Sequence, residues 1–281
     1  MQNVPELNAQ HVAGATLFAN RADALAALPQ GGKIAEIGVA FGDFSQVLLE
    51  KLAPSQFDAY DLFRLHEIET IWGKPSANVF RGKSHRAYYE DRFHQQLVSG
   101  QLRVFEGDSS AEMAQRDDGW YDVIYIDGDH SYEGVLRDAE IAARKIRHDG
   151  FLVFNDYTMG DHLTMSPYGI VPVVNEFCVN YGWKVIYLAL NSQMFCDVCI
   201  TRCDTVPARH HHFVTSALSL LRHRLRHCWT IFTGKGDRSR LREPQKAASC
   251  PPQSEKTESE GPNRKPRTMV ETRAIEILRS C

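Results

Sequence analysis

The sequence predicts an α/β fold: a doubly wound, mostly parallel sheet closed by a terminal antiparallel hairpin. Three observations carry this reading. Short apolar runs alternate with helical-period segments from residue 33 to residue 181, and such alternation builds parallel sheets. Several of these runs end on acid or glycine, as at Glu36-Ile-Gly38, Asp61, Gly107-Asp108 and Asp127. Open α/β sheets bind ligands at that carboxyl edge. Finally, two apolar strands, 183–190 and 194–201, are separated only by Asn191-Ser192-Gln193, a hairpin link.

Taken in order, the alanine- and leucine-rich segment 13–28 reads as an amphipathic helix ending at Pro29-Gln-Gly-Gly32. The run Ile34 to Ile37 is the first strand. Gly38 and Gly42 follow, then Phe44, Val47, Leu48, Leu49 and Leu52 at helical spacing. This strand–turn–helix unit organises the chain. Glycine allows the sharp turn and a close backbone approach to a ligand. The spacing is G-x-x-x-G, not the G-x-G-x-x-G of a pyrophosphate-binding dinucleotide turn.

The second strand, 56–62, carries Asp61, 23 residues beyond Gly38. In a Rossmann-like unit, an acid about 20 residues past the glycine turn accepts ribose hydroxyls; helix capping is the alternative role. Residues 63–96 exceed a minimal crossover. The expected crossover helix is 88–97, and the remainder is a substrate lid or a surface loop. The third strand exits through Gly107-Asp108-Ser109, with Ser109 a candidate N-cap. The fourth, 121–126, runs into Asp127-Gly-Asp129-His130, denser in ionisable groups than a structural turn needs. A helix over 135–146 is expected to leave Arg137, Asp138, Arg144 and Lys145 in solvent. The fifth strand, 151–157, contains Asn155-Asp156, and a helix over 169–181 precedes the hairpin.

Charge divides the chain. Residues 205–281 hold 15 Lys/Arg against 7 Asp/Glu, whereas the first 204 hold 17 against 28. The expected boundaries are therefore a catalytic domain over 1–204, a basic amphipathic helix over 205–233 and a disordered tail over 234–281, rich in Pro, Ser and charge. An acidic front domain argues against nucleic acid as its partner; the tail could contact a partner or a membrane surface. No apolar run approaches the ~20 residues of a membrane span, and the first ten residues lack a signal pattern. A cytoplasmic location is the expectation. Seven cysteines, an odd number, argue against a disulfide framework, and Cys196, Cys199 and Cys203 with His210–His212 lack zinc-ligand spacing.

Glu36-x-Gly38-x-x-x-Gly42 resembles the first motif of class I S-adenosylmethionine-dependent methyltransferases, and residues 28–203 resemble that fold throughout. More narrowly, Ile126-Asp-Gly-Asp-His-Ser-Tyr-Glu-Gly-Val135, together with residues 150–157 and 168–177, resembles the methyltransferase domain 24 group. The resemblance implies S-adenosylmethionine as cofactor, with Glu36, Gly38, Gly42, Asp61, Asp108 and Ser109 around it and Asp108 accepting the adenine amino group. It also implies Mg²⁺ on Asp127, Asn155 and Asp156, although the Asp-Asn order of related cation-dependent O-methyltransferases is inverted here. Oxygen donors suit Mg²⁺ rather than zinc.

A hydroxyl acceptor needs a base or a metal, and His130 is the natural base, with Asp127 beside it. O-methylation of a small molecule is therefore the expected activity. The competing readings are a non-catalytic cofactor-binding or interaction protein of the same fold and an NAD-dependent oxidoreductase.

Overall fold

The computed structural model describes residues 4–71 and 73–203. The helix expected over 205–233 and the tail over 234–281 lie outside the described residues. An eight-stranded sheet forms the centre. Its strands are β1 (Thr16–Phe18), β2 (Lys33–Ile37), β3 (Gln56–Asp61), β4 (Leu102–Glu106), β5 (Tyr121–Ile126), β6 (Ile146–Phe154), β7 (Trp183–Ala189) and β8 (Asp197–Arg202). Their order is β1-β7-β8-β6-β5-β2-β3-β4. All neighbours pair in parallel except those of β8, which is antiparallel to both β7 and β6.

Helices α1 (Arg21–Ala26), α2 (Asp43–Leu52), α3 (Ser76–Val79), α4 (His85–Arg92), α5 (His94–Val98), α6 (Ser109–Ala114), α7 (Tyr132–Lys145) and α8 (Ile170–Tyr181) complete the domain. Alternation along each strand feeds two cores. Ala35, Ile37, Ile124 and Ile126 pack with Val135, Ala139 and Ala142 of α7 and Val173, Val174 and Phe177 of α8. Ile34, Val123 and Tyr125 face the other way, onto Leu25 of α1 and Leu48 and Leu52 of α2. Local chemistry sets the ends. Asn20, Ser84 and Ser131 cap α1, α4 and α7 through their side chains, and Gly182, left-handed at φ 73°, ends α8.

Three expectations change. The segment 13–28 is not one helix: Thr16–Phe18 pairs with Tyr187–Ala189 at the sheet edge, and α1 starts only at Arg21. Edge hydrogen bonding to β7 outweighs the helix preference of the alanines. In the hairpin, β8 begins at Asp197, so the link is longer than three residues. Asp138 and Lys145 are not solvated but buried: Asp138 accepts a 2.6 Å hydrogen bond from Ser109, and Lys145 donates to Arg116 O and Asp118. The segment 63–96 builds a small core of its own from Leu65, Ile68, Ile71 and Phe80.

No helix among the described residues is long and apolar enough to cross a membrane.

Candidate active site

The chain reverses direction across the sheet between β2 and β5, and such a switch point opens a crevice at the carboxyl edge. A cleft of about 260 Å³ lies there, lined by Gly38, Tyr60, Asp61, Gly107, Asp108 and Gly128 among others. Gly38 sits at φ 81° with its N–H donated to Tyr60 O, so the turn presents bare backbone to the cleft. Gly42 has a different function. At φ 78° a Cβ there would stand 2.6 Å from Phe93 Cε2, so its missing side chain makes room for α4 and α5.

Glu36 lies beneath the turn, 1% exposed, accepting a hydrogen bond from Ser45, whose Oγ also accepts one from Tyr89 OH. Burial pushes its pKa up to about 8 against the pull of the Ser45 bond. It ties β2 to α2 and α4 and does not line the cleft. Asp61 borders the cleft, and its oxygens meet backbone: Oδ2 accepts from Val39 N at 2.8 Å and Oδ1 from Phe63 N at 2.6 Å. These bonds hold the turn, and each oxygen keeps a second lone pair in its acceptor inventory. His85 closes this corner from the 63–96 segment. Its Nε2 donates to Ala40 O, and its buried Nδ1, 4.0 Å from Asp61 Oδ1, has no hydrogen-bond partner among the described residues. Burial is the largest influence on both, raising the Asp61 pKa and lowering that of His85.

On the far side of the cleft, Asp108 caps α6 by accepting from Ala111 N, one position before the cap expected at Ser109. Ser109 instead holds Asp138.

The Asp127–His130 turn meets the end of β6. His130 Nε2 stands 3.6 Å from Asp127 Oδ1 and 3.5 Å from Asp156 Oδ2, with side chains 17%, 30% and 16% exposed. These separations exceed a direct hydrogen bond, so the ring sits between two carboxylates without being fixed to either. Tyr168 covers it, ring centroids 4.6 Å apart. Asp156 holds a left-handed φ of 54°. Burial first, then Asp156 and Asp197, push the Asp127 pKa well up, and burial raises that of Asp156 also. A site so crowded with acid favours an arriving positive charge.

Asn155 does not join it. Its amide donates to Tyr125 OH at 3.1 Å and to Asp197 Oδ1 at 3.2 Å, below the site. The expected Asp127, Asn155 and Asp156 metal set is therefore not assembled, and no group of three His, Cys, Asp or Glu among the described residues is arranged to hold a metal. Of the expected set, Asp127 and Asp156 are the two that face His130. The cleft and acid cluster do fit a nucleoside carrying a cationic tail.

Two residues escaped the sequence reading. Asp197 accepts from Tyr125 OH at 2.9 Å, and Arg21 Nη1 lies 3.4 Å from Tyr125 OH and 3.7 Å from Asp197 Oδ1. Neither sits in a motif. Only the sheet order brings them together, because β1 ends and antiparallel β8 begins at the same edge.

Residues 35–157 match the methyltransferase domain family, methyltransferase domain 24. No curated protein is significantly similar to the chain in sequence. Among solved structures, the pyocyanin biosynthetic protein PhzM overlaps 62% of this chain at 13% identity and a TM-score of 0.44. The overlap spans 51% of PhzM, about half of that protein's length. A protein from Corynebacterium glutamicum overlaps 68% of this chain and 80% of its own at 15% identity and a TM-score of 0.45. An S-adenosylmethionine-dependent methyltransferase from Aquifex aeolicus overlaps 65% and 89% at 13% identity and a TM-score of 0.43.

Proposed function

We propose that the chain, whose residues 35–157 match a methyltransferase domain, transfers a methyl group from S-adenosylmethionine to a hydroxyl oxygen of a small molecule, with His130 as general base. The observation that carries this is the imidazole bracketed by Asp127 and Asp156 at the end of the cleft. S-adenosylmethionine supplies a methyl group on a sulfonium. Gly38 offers backbone to its adenosine, with Asp61 and His85 fixing the turn, while Asp127 faces its positive end. His130 Nε2 takes the acceptor proton as the new O–CH₃ bond forms and the S–CH₃ bond breaks. Asp156 steadies the imidazolium. Tyr168 shields the ring from water. Most of the barrier reduction comes from alignment, and a base adds about 10²–10⁴-fold.

A small acceptor is favoured over nucleic acid by the excess of acid in the first 204 residues. The test is labelled S-adenosylmethionine with a panel of hydroxylated aromatic and sugar compounds. His130→Ala should lose about 10²–10⁴-fold in rate with S-adenosylmethionine affinity unchanged by titration calorimetry. EDTA should leave the wild-type rate intact. Full activity in His130→Ala would overturn the base assignment, and inhibition by EDTA reversed by Mg²⁺ would overturn the metal-free mechanism.

A further inference from the structure

Arg21 lies outside the matched domain, in a short helix that a class I core does not need, yet it reaches the site. β1 runs parallel to β7, so its end delivers Arg21 to the edge where Asp127 and Asp156 emerge. The guanidinium rests 4.7 Å above the Phe44 ring, and Phe44 packs on Tyr125 at 4.3 Å. Phe44 is the second residue of α2, directly after the glycine turn. The side chain is 30% exposed. Its contacts use Nη1 alone, at 3.4 Å from Tyr125 OH and 3.7 Å from Asp197 Oδ1, which are loose for a guanidinium. Nε and Nη2 donate to no described residue. A planar fork with two unspent donor nitrogens, braced on an aromatic face, suits a carboxylate.

We propose that Arg21 binds the α-carboxylate of the methionyl end of S-adenosylmethionine. The inference rests on the cofactor proposed above and extends its site past the matched residues 35–157 into the N-terminal segment. Its logic is the charge pattern of that end, an ammonium and a carboxylate on one carbon. Asp127 supplies the complement of the first and Arg21 the complement of the second. The adenosine keeps the cleft between Gly38 and Asp108. Arg21 thereby explains a structural feature that fold alone does not: β1 and α1 exist at this edge to carry one cation to the site, and Asn20 caps α1 so that Arg21 starts the helix in a fixed direction.

The experiment is titration calorimetry of the full chain with two ligands, S-adenosylmethionine and its decarboxylated form, which keeps the sulfonium and the amine. Arg21→Met should weaken S-adenosylmethionine roughly 10–100-fold, the range of charge-assisted hydrogen bonds, and leave the decarboxylated form within about threefold. The wild type should show the same preference between the two ligands, a measurement that does not depend on any variant folding. Equal losses for both ligands would make Arg21 a structural residue and overturn the proposal. So would an unchanged affinity in Arg21→Met, or a wild type that binds both forms equally. A wild type that fails to bind S-adenosylmethionine at all would overturn the cofactor reading itself, and this proposal with it.

Discussion

Asp61 and Asp127 both end central strands at the same edge of one sheet, yet the structure uses them in opposite ways. Asp61 is 3% exposed and gives its oxygens to the amides of Val39 and Phe63. Asp127 has a side chain 30% exposed, and His130 Nε2 stands off from it at 3.6 Å. The first carboxylate shapes backbone; the second waits for a partner. The acceptor capacity a carboxylate has left over, more than its position after a strand, separates a residue that builds a ligand site from one that touches the ligand.

The largest effect expected from this contrast is on rate. Asp127→Asn preserves shape and removes charge beside His130. Methyl transfer should fall by about 10²-fold or more, with thermal stability unchanged or raised, because a crowded acid is relieved. A calorimetric melt and a single-turnover assay on the same preparation check both halves. A stability loss as large as the activity loss would place Asp127 with Asp61.

Asp61→Ala should do the reverse. It orphans two buried amides, each worth about 1–3 kcal/mol, so a stability loss of about 2–6 kcal/mol is expected by denaturant titration. Loss of S-adenosylmethionine binding should follow from the loosened turn. Asp61→Asn, which can still accept one amide bond, should recover part of both. Recovery of binding without recovery of stability would restore a direct contact with the cofactor.

The contrast also shows what could be read from sequence. Strands β2, β3 and β5 were legible because buried parallel strands are short apolar runs, and the Asp127–His130 cluster because three ionisable groups in four positions have little structural use. The partners of those groups were not legible. Spacing fixes the place of Asp61 in its strand and says nothing of which amides surround its oxygens. The cap fell on Asp108 rather than Ser109, a one-residue shift that propensity does not resolve. Arg21 and Asp197 meet only because β1 and β8 sit where they do in the sheet. Asn155 was expected beside Asp156, but its amide is drawn to Tyr125 OH and Asp197 Oδ1, partners that come from β5 and β8 and that adjacency in sequence does not reveal.

A third test concerns pH. Glu36 shares the buried side of the comparison, and burial raises its pKa to about 8 from an ordinary 4.5. The folded state therefore holds a proton that the unfolded state has lost between those values. Stability should fall as pH rises from about 5 to 8, by on the order of 2–4 kcal/mol from this group. Asp138, raised to about 6, and Asp197, raised to about 7, add slopes of the same sign. Glu36→Gln should flatten the curve above pH 6 in urea melts at fixed ionic strength. An unchanged slope would mean that Glu36 is ionised in the fold.

The smallest effect tests a residue between the two classes. Asp108 lines the cleft, yet Oδ1 accepts from Ala111 N at 3.0 Å and from Ser110 Oγ, while Oδ2 lies 3.9 Å from Arg137 Nε. Partial burial works against its charge, but the Ser110 and Ala111 bonds and Arg137 outweigh it and lower the pKa. Half of the carboxylate is thus committed to the cap and half faces the cleft. If the cap is its whole task, Asp108→Ala should cost about 1 kcal/mol of stability and leave S-adenosylmethionine affinity nearly as it was, while Asp108→Asn, itself a good cap, should change neither. If Oδ2 meets the adenine amino group, Asp108→Ala should weaken S-adenosylmethionine by roughly tenfold, an unmade hydrogen bond to a charged acceptor, and leave a ligand with a methylated adenine nitrogen unaffected by the substitution. The second pattern would move Asp108 across to the side of Asp127, with an oxygen held back for the ligand.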